Sequence, residues 1–529
     1  MQSGFCKGNK PFETQMMNKF NKVKIDYIIQ GILLIGIVCL FGMMCCVNIA
    51  HFNYRLNADI ASDVVLTGLI WNSGEICPST WYVANELRII CTPNVAAIIY
   101  GITQDAVLSM GIACSVMTMA IAISIYLFMR SINASKTVCL GMVLLSLMLP
   151  ACFDSLELLY LFASYYAIHV VLLFLAITTY AKCIHDKTFP KVLALIQVLF
   201  AIVLGMQGVR GILVIYAPLF GVELVRNLFL LYSGKKITKN DVYLWCWSSV
   251  LLLLSYIGTL FPGSVPQGIS RNLRKGFEKL ITVVIPDILG ILGFGTMNIV
   301  GIVSLAVLCL GAIGLLGFYL FKIIGKKEIE SYVWAYLVLW CSPVASAIIV
   351  AFSTTESSKR YYFVFIFTLA LSVVWLIQRS GQIIKGVLIL ASAIVIVSNV
   401  HSIYIPILRS ADPPAGEALE VAKYLDAEEY QNAYATFENA NTITVLANGV
   451  RVAPVATVER MDICKWMTSS QWYVPNVPYE QETVYIVTET EMEQFKSFMD
   501  QYKETLQELP QIGKYHLFLS PYNYSNLGE

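Results

Sequence analysis

Long apolar segments recur along the first four fifths of the chain, separated by short polar stretches. A helix needs about 20 residues to cross the hydrocarbon core of a bilayer, which is about 30 Å thick. The pattern predicts eleven membrane-spanning helices, at residues 25–50, 104–130, 137–153, 157–183, 189–207, 211–231, 242–261, 299–321, 331–352, 362–378 and 386–405. Residues 281–295 form a shorter apolar piece that is more typical of an interfacial or re-entrant segment.

The pattern changes after residue 405, where short apolar runs alternate with polar residues. It predicts helices at 417–428, 439–446 and 489–509 and strands at 432–437, 449–454, 483–488 and 515–519. Alternating strands and helices favour a small α/β domain, and about 120 residues suffice for a core of its own. The predicted organisation is a tail (1–24), an all-α polytopic membrane domain (25–405) with a large first loop (51–103), and a C-terminal α/β domain (406–529).

Lys and Arg residues indicate the orientation of the chain, because short loops rich in them stay in the cytoplasm. The N-terminal tail is basic, and so is every second connection, at Arg130, Lys136, Lys182, Lys187, Lys191, Lys235, Lys236, Lys239, Lys322, Lys326, Lys327, Arg379 and Lys385. We therefore expect a cytoplasmic N-terminus, with the first loop and the C-terminal domain outside the cell membrane. Since no small-residue cleavage site follows residues 25–50, this segment is interpreted as an uncleaved first helix.

Composition agrees with a membrane protein. The chain is 57% hydrophobic and 13% charged, with a mean hydropathy of +0.67, whereas an average soluble domain has about 25% charged residues. The net charge is only +1, and no basic domain stands apart from the membrane segments. A nucleic-acid partner is therefore excluded.

The first loop carries the most informative polar residues. Asp59 and Asp63 lie four residues apart, so in a helix their carboxylates share one face and repel each other. Such a pair is either a solvated helix start or a site that holds a proton, a cation or a substrate group. Further along, Glu86 and Arg88 either form a structural ion pair or touch a ligand. Trp81 and Tyr82 either belong to the aromatic belt of the membrane interface or stack on a sugar.

Basic residues on the predicted outer surface indicate an anionic partner. Each either reaches lipid phosphates or contributes to a pocket for a phosphate or pyrophosphate headgroup. Arg210 is the strongest candidate, because the glycines of Gln207-Gly-Val-Arg-Gly211 allow close approach of a ligand to the backbone. The other candidates are Arg88, Arg271, Arg274, Lys359 and Arg360.

Two further groups belong to the same predicted outer side. Asp154 and Glu157 lie between the third and fourth spans, and His169 lies within the fourth. An ionisable residue in a span is a functional candidate, although packing is the commoner role of a histidine. Of the fourteen cysteines, only Cys77 and Cys91 are positioned for a disulfide worth testing.

A resemblance to a known family follows from the first loop. It opens with acidic residues and continues with Ser73-Gly-Glu-Ile-Cys-Pro78, an aromatic-rich turn and Pro93 at a juxtamembrane helix. With a cytoplasmic N-terminus, these features resemble the GT-C superfamily of integral-membrane glycosyltransferases. The likeness is greatest to the protein O-mannosyltransferase and aminoarabinose transferase branch, and to uncharacterised bacterial membrane proteins with a Trp-Tyr-x-x-x-Glu-Leu-Arg loop.

The resemblance implies a polyprenyl-phosphate-linked sugar as donor, an extracytoplasmic glycan, lipid or protein as acceptor, and an acidic residue of the first loop as base. Such transfer needs a base for the acceptor hydroxyl and cations for the departing phosphate. Asp59 is the first choice for the base and Asp63 the second. No cofactor is implied with certainty, and a divalent cation bridging the two carboxylates is an alternative.

Two other classes of function stay open at this point. A transporter or flippase of lipid-linked sugars predicts paired charges within the spans and inverted repeats; the sequence shows few of the former and none of the latter. A non-catalytic membrane assembly protein predicts that the outer carboxylates have no measurable role.

Overall fold

The computed structural model describes residues 12–84, 86–261, 274–325, 328–410, 416–474 and 477–525. Its membrane part begins with α1 (Phe12–Ala50), α2 (Ala58–Ser73), the short strand β1 (Trp81–Tyr82), α3 (Thr92–Thr103), α4 (Ala106–Ser131), α5 (Lys136–Met148), α6 (Phe153–Leu159), α7 (Ala167–His185) and α8 (Lys191–Met206). It continues with α9 (Ala217–Tyr232), α10 (Lys239–Gly258), α11 (Gly276–Lys279), α12 (Ile285–Leu292), α13 (Ile299–Ile324), α14 (Ser331–Ala351), α15 (Val364–Arg379), α16 (Gln382–Asn399) and α17 (Ile405–Arg409).

The chain is a multi-pass membrane protein. Among the described residues, eight helices are long and apolar enough to cross a bilayer, and α5, α8 and α15 are shorter apolar helices. Each of the eleven predicted spans coincides with one of these helices. Residues 281–295 form a turn of π-helix, Leu280–Val284, that continues into α12.

The fourth predicted span was placed too early. Helix α7 begins at Ala167, and residues Phe153–Leu159 form the separate helix α6. The chain between them turns through Phe162 and Ser164, whose φ angles are +59° and +48°. Pro150 lies between the end of α5 and the start of α6, which explains why the third span ends early, because the residue before a proline disfavours the helix. Asp154 and Glu157 therefore lie in a connection and not in a span.

The C-terminal domain is a six-stranded sheet with helices on both faces. Its elements are α18 (Gly416–Ala427), β2 (Asn432–Thr436), α19 (Phe437–Leu446), β3 (Arg451–Thr457), β4 (Asp462–Ile463), β5 (Thr468–Ser469), β6 (Tyr479–Thr488), α20 (Met492–Gln501), β7 (Gln507–Glu508) and β8 (Tyr515–Asn523). The strand order is β4-β3-β2-β6-β8-β7. Strand β2 is parallel to β3 and β6, and the remaining pairs are antiparallel.

One predicted helix of this domain is too long. We expected residues 489–509 to be helical, but α20 ends at Gln501 and residues 507–508 form β7. The backbone N–H of Leu509 donates to the carbonyl of Leu517 at 2.9 Å. Pairing with β8 therefore replaces the last two turns of the predicted helix.

The first loop joins the membrane domain to the C-terminal domain. Helix α2 packs against α19, and β1 pairs antiparallel with β5. The Asn441 side chain donates to Ser62 Oγ at 2.7 Å and to the carbonyl of Met467 at 3.2 Å. These contacts fix the C-terminal domain against the same helix that carries Asp59 and Asp63.

Close helix packing explains two glycines of the membrane domain. A Cβ atom added to Gly205 of α8 would lie 2.1 Å from the carbonyl oxygen of Ser255, and one added to Gly258 of α10 would lie 2.8 Å from Gly205 Cα. Glycines at facing positions allow two helix backbones to approach closely in a membrane. Gly221 of α9, by contrast, has no atom within 4 Å of its added Cβ.

We predict that Gly205→Ala lowers the free energy of unfolding by about 1–3 kcal/mol, because the α8 and α10 backbones must separate. Gly221→Ala is the matched control and should leave stability unchanged or slightly higher. Thermal unfolding of both variants in detergent measures the effect. Equal midpoints for the two variants would contradict the close packing of α8 on α10.

Candidate functional site

A polar cavity lies where the first loop, the connection after α14 and the C-terminal domain meet. We call it the central cavity and define it by Asp59, Glu86, Arg88, Arg210, Arg360 and Trp466. Asp59 and Arg88 come from the first loop, Arg210 from the start of the turn before α9, and Arg360 from the 3₁₀ turn Lys359–Tyr361. Three distant parts of the chain thus contribute charged groups to one site.

Two more cavities adjoin the central one. The acidic cavity is lined by Asp154, Glu157, Tyr165, Asp287, Lys359 and Arg360 and has a volume of about 400 Å³, within the usual range for small-molecule sites. The apolar cavity is lined by Val209, Leu213, Val214, Ile349, Val350 and Phe363, together with Glu86, Arg210 and Arg360. Arg360 lines all three cavities, so they adjoin one another at this residue.

Most cations around these cavities are neutralised by a carboxylate. Arg210 Nη1 donates to both oxygens of Glu86, at 2.8 and 2.9 Å, and its guanidinium stacks 3.8 Å above the ring of Tyr166. The other pairs are Arg88 with Asp63 at 3.5 Å, Arg55 with Glu157 at 2.7 Å, and Lys359 with Asp154 at 2.7 Å. Glu86 and Arg88, for which an ion pair with each other was one of two alternatives, have different partners. A guanidinium held in this way is fixed in position and has less charge available for a ligand.

Two charged groups of the central cavity have no ion-pair partner among the residues that the structure describes. They are the Asp59 carboxylate and the Arg360 guanidinium. Asp59 is exposed and occupies the first turn of α2, after the N-cap Asn57. Arg360 is also exposed, and it contacts the ring of Tyr361 at 5.7 Å. The cavity therefore presents one accessible carboxylate and one accessible cation to a ligand.

Lys279 holds the connection between α14 and the turn that carries Arg360. Its Nζ donates to the carbonyls of Val350, Ser353 and Thr355, at 2.8, 3.0 and 2.5 Å. Three carbonyl acceptors on one ammonium fix the backbone just before the turn Lys359–Tyr361. Arg360 is thus positioned by the backbone, since no carboxylate holds its side chain.

Asp63 differs from Asp59 although both lie on the same helix. Its side chain is only 1% exposed, and neither carboxylate oxygen has a hydrogen-bond partner among the described residues. Burial raises the pKa of Asp63 to about 6, Arg88 opposes the rise, and the Asp59 charge adds to it. Asp63 is therefore a buried partner of Arg88, and Asp59 is the carboxylate that a ligand can reach.

The structure does not bring the aromatic candidates of the first loop into the cavity. Trp81 is buried with Leu66, Ile70 and Met467, and its backbone belongs to β1. Tyr82 packs against the aromatic core of the C-terminal domain. Both residues of β1 thus pack between the loop and the domain, and neither lines any of the three cavities.

His169 and Arg274, which the sequence also predicted as site residues, line none of the three cavities. His169 is 3% exposed and makes an edge contact with the ring of Tyr166 at 5.7 Å, which is a packing role. Arg274 is exposed before α11. Arg271 lies outside the described residues.

A metal bridge between the two carboxylates does not fit the geometry. Asp63 faces the guanidinium of Arg88 in a closed interior, whereas Asp59 opens to the cavity. Within the described ranges, no group of three or more His, Cys, Asp or Glu side chains could hold a metal ion. Cys77 and Cys91 are free thiols. Cys91 Sγ donates to Asn94 Oδ1 at 2.8 Å instead of forming the disulfide considered from the sequence.

A second buried ionic cluster lies at the far end of the membrane helices. Arg226 donates to both oxygens of Glu223, at 2.7 and 2.8 Å, and to Asp241 at 2.8 Å. Asn227 and Thr238 complete the hydrogen bonds of these carboxylates. The cluster is satisfied internally and joins α9 to α10, so it has a structural role.

Sequence reasoning missed Asp287 and did not select Trp466. Asp287 lies in α12 and lines the acidic cavity. An acidic residue in an otherwise apolar helix was the available signal. Trp466 was not selected because the sequence does not reveal that its domain packs against the first loop.

Comparison with known proteins identifies the fold. No protein-family model matches the chain, and no curated protein matches its sequence. Structurally it is similar to the crystal structure of ArnT from Cupriavidus metallidurans bound to undecaprenyl phosphate, at 9% identity and a TM-score of 0.60, over 92% of this chain and 97% of that one. The apo state of ArnT gives 10% identity and a TM-score of 0.57, over 92% and 98% of the two chains.

The chain therefore has a GT-C-like fold, with a polytopic helical domain and a small C-terminal α/β domain. This confirms the fold class expected from the sequence. The likeness extends over nearly the whole of both chains. At such low identity it carries the fold alone.

We predict that ionisation of Asp63 costs stability between about pH 4 and pH 6. Because its folded-state pKa is raised from 3.8 to about 6, the folded protein holds the proton more tightly, and stability falls as pH rises through this window. Asp63→Asn removes the titration. The difference in unfolding free energy between wild type and Asp63→Asn should fall by up to about 3 kcal/mol from pH 4 to pH 6, measured from thermal midpoints. A constant difference would contradict the buried carboxylate.

Proposed function

We propose that the protein is a membrane glycosyltransferase that moves a sugar from a polyprenyl-phosphate donor to an acceptor on the outer side of the membrane. One observation carries the proposal: the two charged groups of the central cavity that lack an ion-pair partner within the described part of the chain are a carboxylate and a guanidinium, Asp59 and Arg360. They are the base and the cation that this reaction needs. The GT-C-like fold is consistent with this chemistry.

In the proposed reaction, Asp59 accepts the proton of the acceptor hydroxyl. The acceptor oxygen forms a bond to the anomeric carbon of the donor sugar, while the bond from that carbon to the phosphate oxygen breaks. Its electron pair leaves with the polyprenyl phosphate, whose additional charge Arg360 stabilises. The step needs no redox partner, and its atoms and charges balance.

The neighbouring cavities offer apolar and polar surface to the two ends of such a donor, although the apolar cavity has a volume of only about 50 Å³ and must widen to admit a chain. The apolar cavity adjoins Arg360 and lies between the turn before α9 and the end of α14, both membrane elements. A polyprenyl chain attached to the phosphate would enter there, since apolar surface is its only favourable contact. The similar ArnT structure contains undecaprenyl phosphate, which supports a donor of this class.

The paired arginines have a positioning role in this proposal. Arg210 was the first candidate for the phosphate, but Glu86 neutralises it and Tyr166 covers its face. The Glu86–Arg210 pair fixes the first loop to the membrane domain next to Arg360. Arg88 similarly compensates the buried Asp63 beneath Asp59. Lys359 and Asp154 border the acidic cavity, where the sugar of the donor has polar partners.

We predict that Asp59→Asn lowers sugar transfer at least 100-fold, because the amide cannot accept the proton. The full-length protein in lipid nanodiscs is supplied with polyprenyl-phosphate sugars extracted from the source cells, and release of polyprenyl phosphate is followed by mass spectrometry. Glu75→Gln is the matched control, since Glu75 is an exposed carboxylate of the same loop that bonds to Ser79 outside the cavity.

The control should retain wild-type turnover, and both variants should elute from a sizing column like wild type. Normal turnover by Asp59→Asn would exclude Asp59 as the base. Release of no polyprenyl phosphate by the wild type, with donors of every sugar present in the extract, would overturn the proposed transferase.

A further inference from the structure

An exposed tryptophan of the C-terminal domain forms part of the central cavity. Trp466 is 38% exposed and lines the cavity together with Asp59, Arg88 and Arg360. A large aromatic ring that is open to a cavity offers its face to a ligand. Trp472, a few residues on, packs instead against the aromatic core of the domain.

The backbone next to Trp466 is held in a rarely adopted conformation. Met467 has φ +46°, a left-handed conformation that costs free energy for a residue with a side chain. Its side chain is buried beside Leu66 and Trp81, and its carbonyl accepts the hydrogen bond from Asn441. The next residues pair with β1 of the first loop. Burial of Met467 thus anchors the segment that places the preceding ring at the cavity.

The surroundings of Trp466 indicate which class of ligand its indole ring binds. An acyl or polyprenyl chain has its favourable surface in the apolar cavity, at the far side of Arg360. The cavity that Trp466 lines has charged groups, among them Asp59, Arg88 and Arg360, next to aromatic and aliphatic side chains. The fitting group has one apolar face for the ring and hydroxyls for the charges around it. A pyranose ring has both.

We infer that Trp466 is an acceptor-binding residue, on which a sugar ring of a saccharide acceptor stacks, and that the acceptor is therefore a carbohydrate. This inference rests on the proposed transferase activity, because only a transferase has an acceptor. It gives the C-terminal domain a direct role, because that domain contributes one wall of the site and the membrane domain contributes the others. Trp466 would orient the acceptor hydroxyl towards Asp59 while Arg360 holds the donor phosphate.

The test measures binding and needs no transfer. Full-length protein in nanodiscs is titrated with oligosaccharides released from the envelope of the source cells, and separately with a serine- and threonine-rich peptide. Intrinsic fluorescence and thermophoresis are recorded for wild type, Trp466→Ala and Trp466→Phe. Lys465→Ala is the control, because Lys465 is the exposed neighbour that does not line the cavity.

Wild type and Lys465→Ala should bind the oligosaccharides with a saturable change in fluorescence. Trp466→Phe should retain the affinity, since it keeps an aromatic face, but lose the fluorescence change. Trp466→Ala should bind about tenfold more weakly. Equal affinity of Trp466→Ala and wild type would overturn the inference, and so would binding of the peptide in place of the oligosaccharides. Binding through Trp466 without any release of polyprenyl phosphate would overturn the proposed transferase and leave the carbohydrate site in place.

Discussion

Neutralisation of charge at the edge of the membrane domain is the constraint on which this site depends. An arginine removed from water loses favourable hydration unless a carboxylate compensates its charge. Glu86 supplies this compensation to Arg210, Asp63 to Arg88 and Glu157 to Arg55. Two of these three pairs connect the first loop to the membrane domain, so the same interaction that removes the electrostatic cost also fixes the loop. Charge pairing thereby determines which groups stay available for a ligand.

The site is assembled from segments that are far apart in the chain. The first loop provides Asp59, the connection after α14 provides Arg360, and the C-terminal domain closes the cavity with Trp466. Each segment is held by its own contacts: the Glu86–Arg210 pair, the three carbonyl bonds of Lys279, and the hydrogen bonds of Asn441. The accessible carboxylate and the accessible cation therefore stand in a rigid frame, which a transfer reaction requires for orientation.

The sequence predicted the architecture because hydrophobic length is a local property. The eleven apolar segments and the α/β alternation of the C-terminal domain follow from short windows of residues. Which charged residues pair and which are buried depends on tertiary contacts, and these could not be predicted from the sequence. Asp59 and Asp63 look equivalent in the sequence, but in the folded protein only Asp63 is buried. Arg210 was the first choice for the phosphate because of its flanking glycines, and its partner Glu86, 124 residues away, does not follow from the sequence. Arg360 stands out only in the structure, where Arg88 and Arg210, the other arginines that line the central cavity, each have a carboxylate partner.

The central claim is that the lipid phosphate binds at Arg360, where the three cavities meet. A cryo-electron microscopy structure of the full-length protein with undecaprenyl phosphate in nanodiscs tests it most directly. The account predicts the phosphate within hydrogen-bond distance of Arg360, the lipid chain in the cavity lined by Val209 and Val350, and an intact Glu86–Arg210 pair. A phosphate bound at the exposed Arg274 face, or an Arg210 that has left Glu86 for the phosphate, would contradict it.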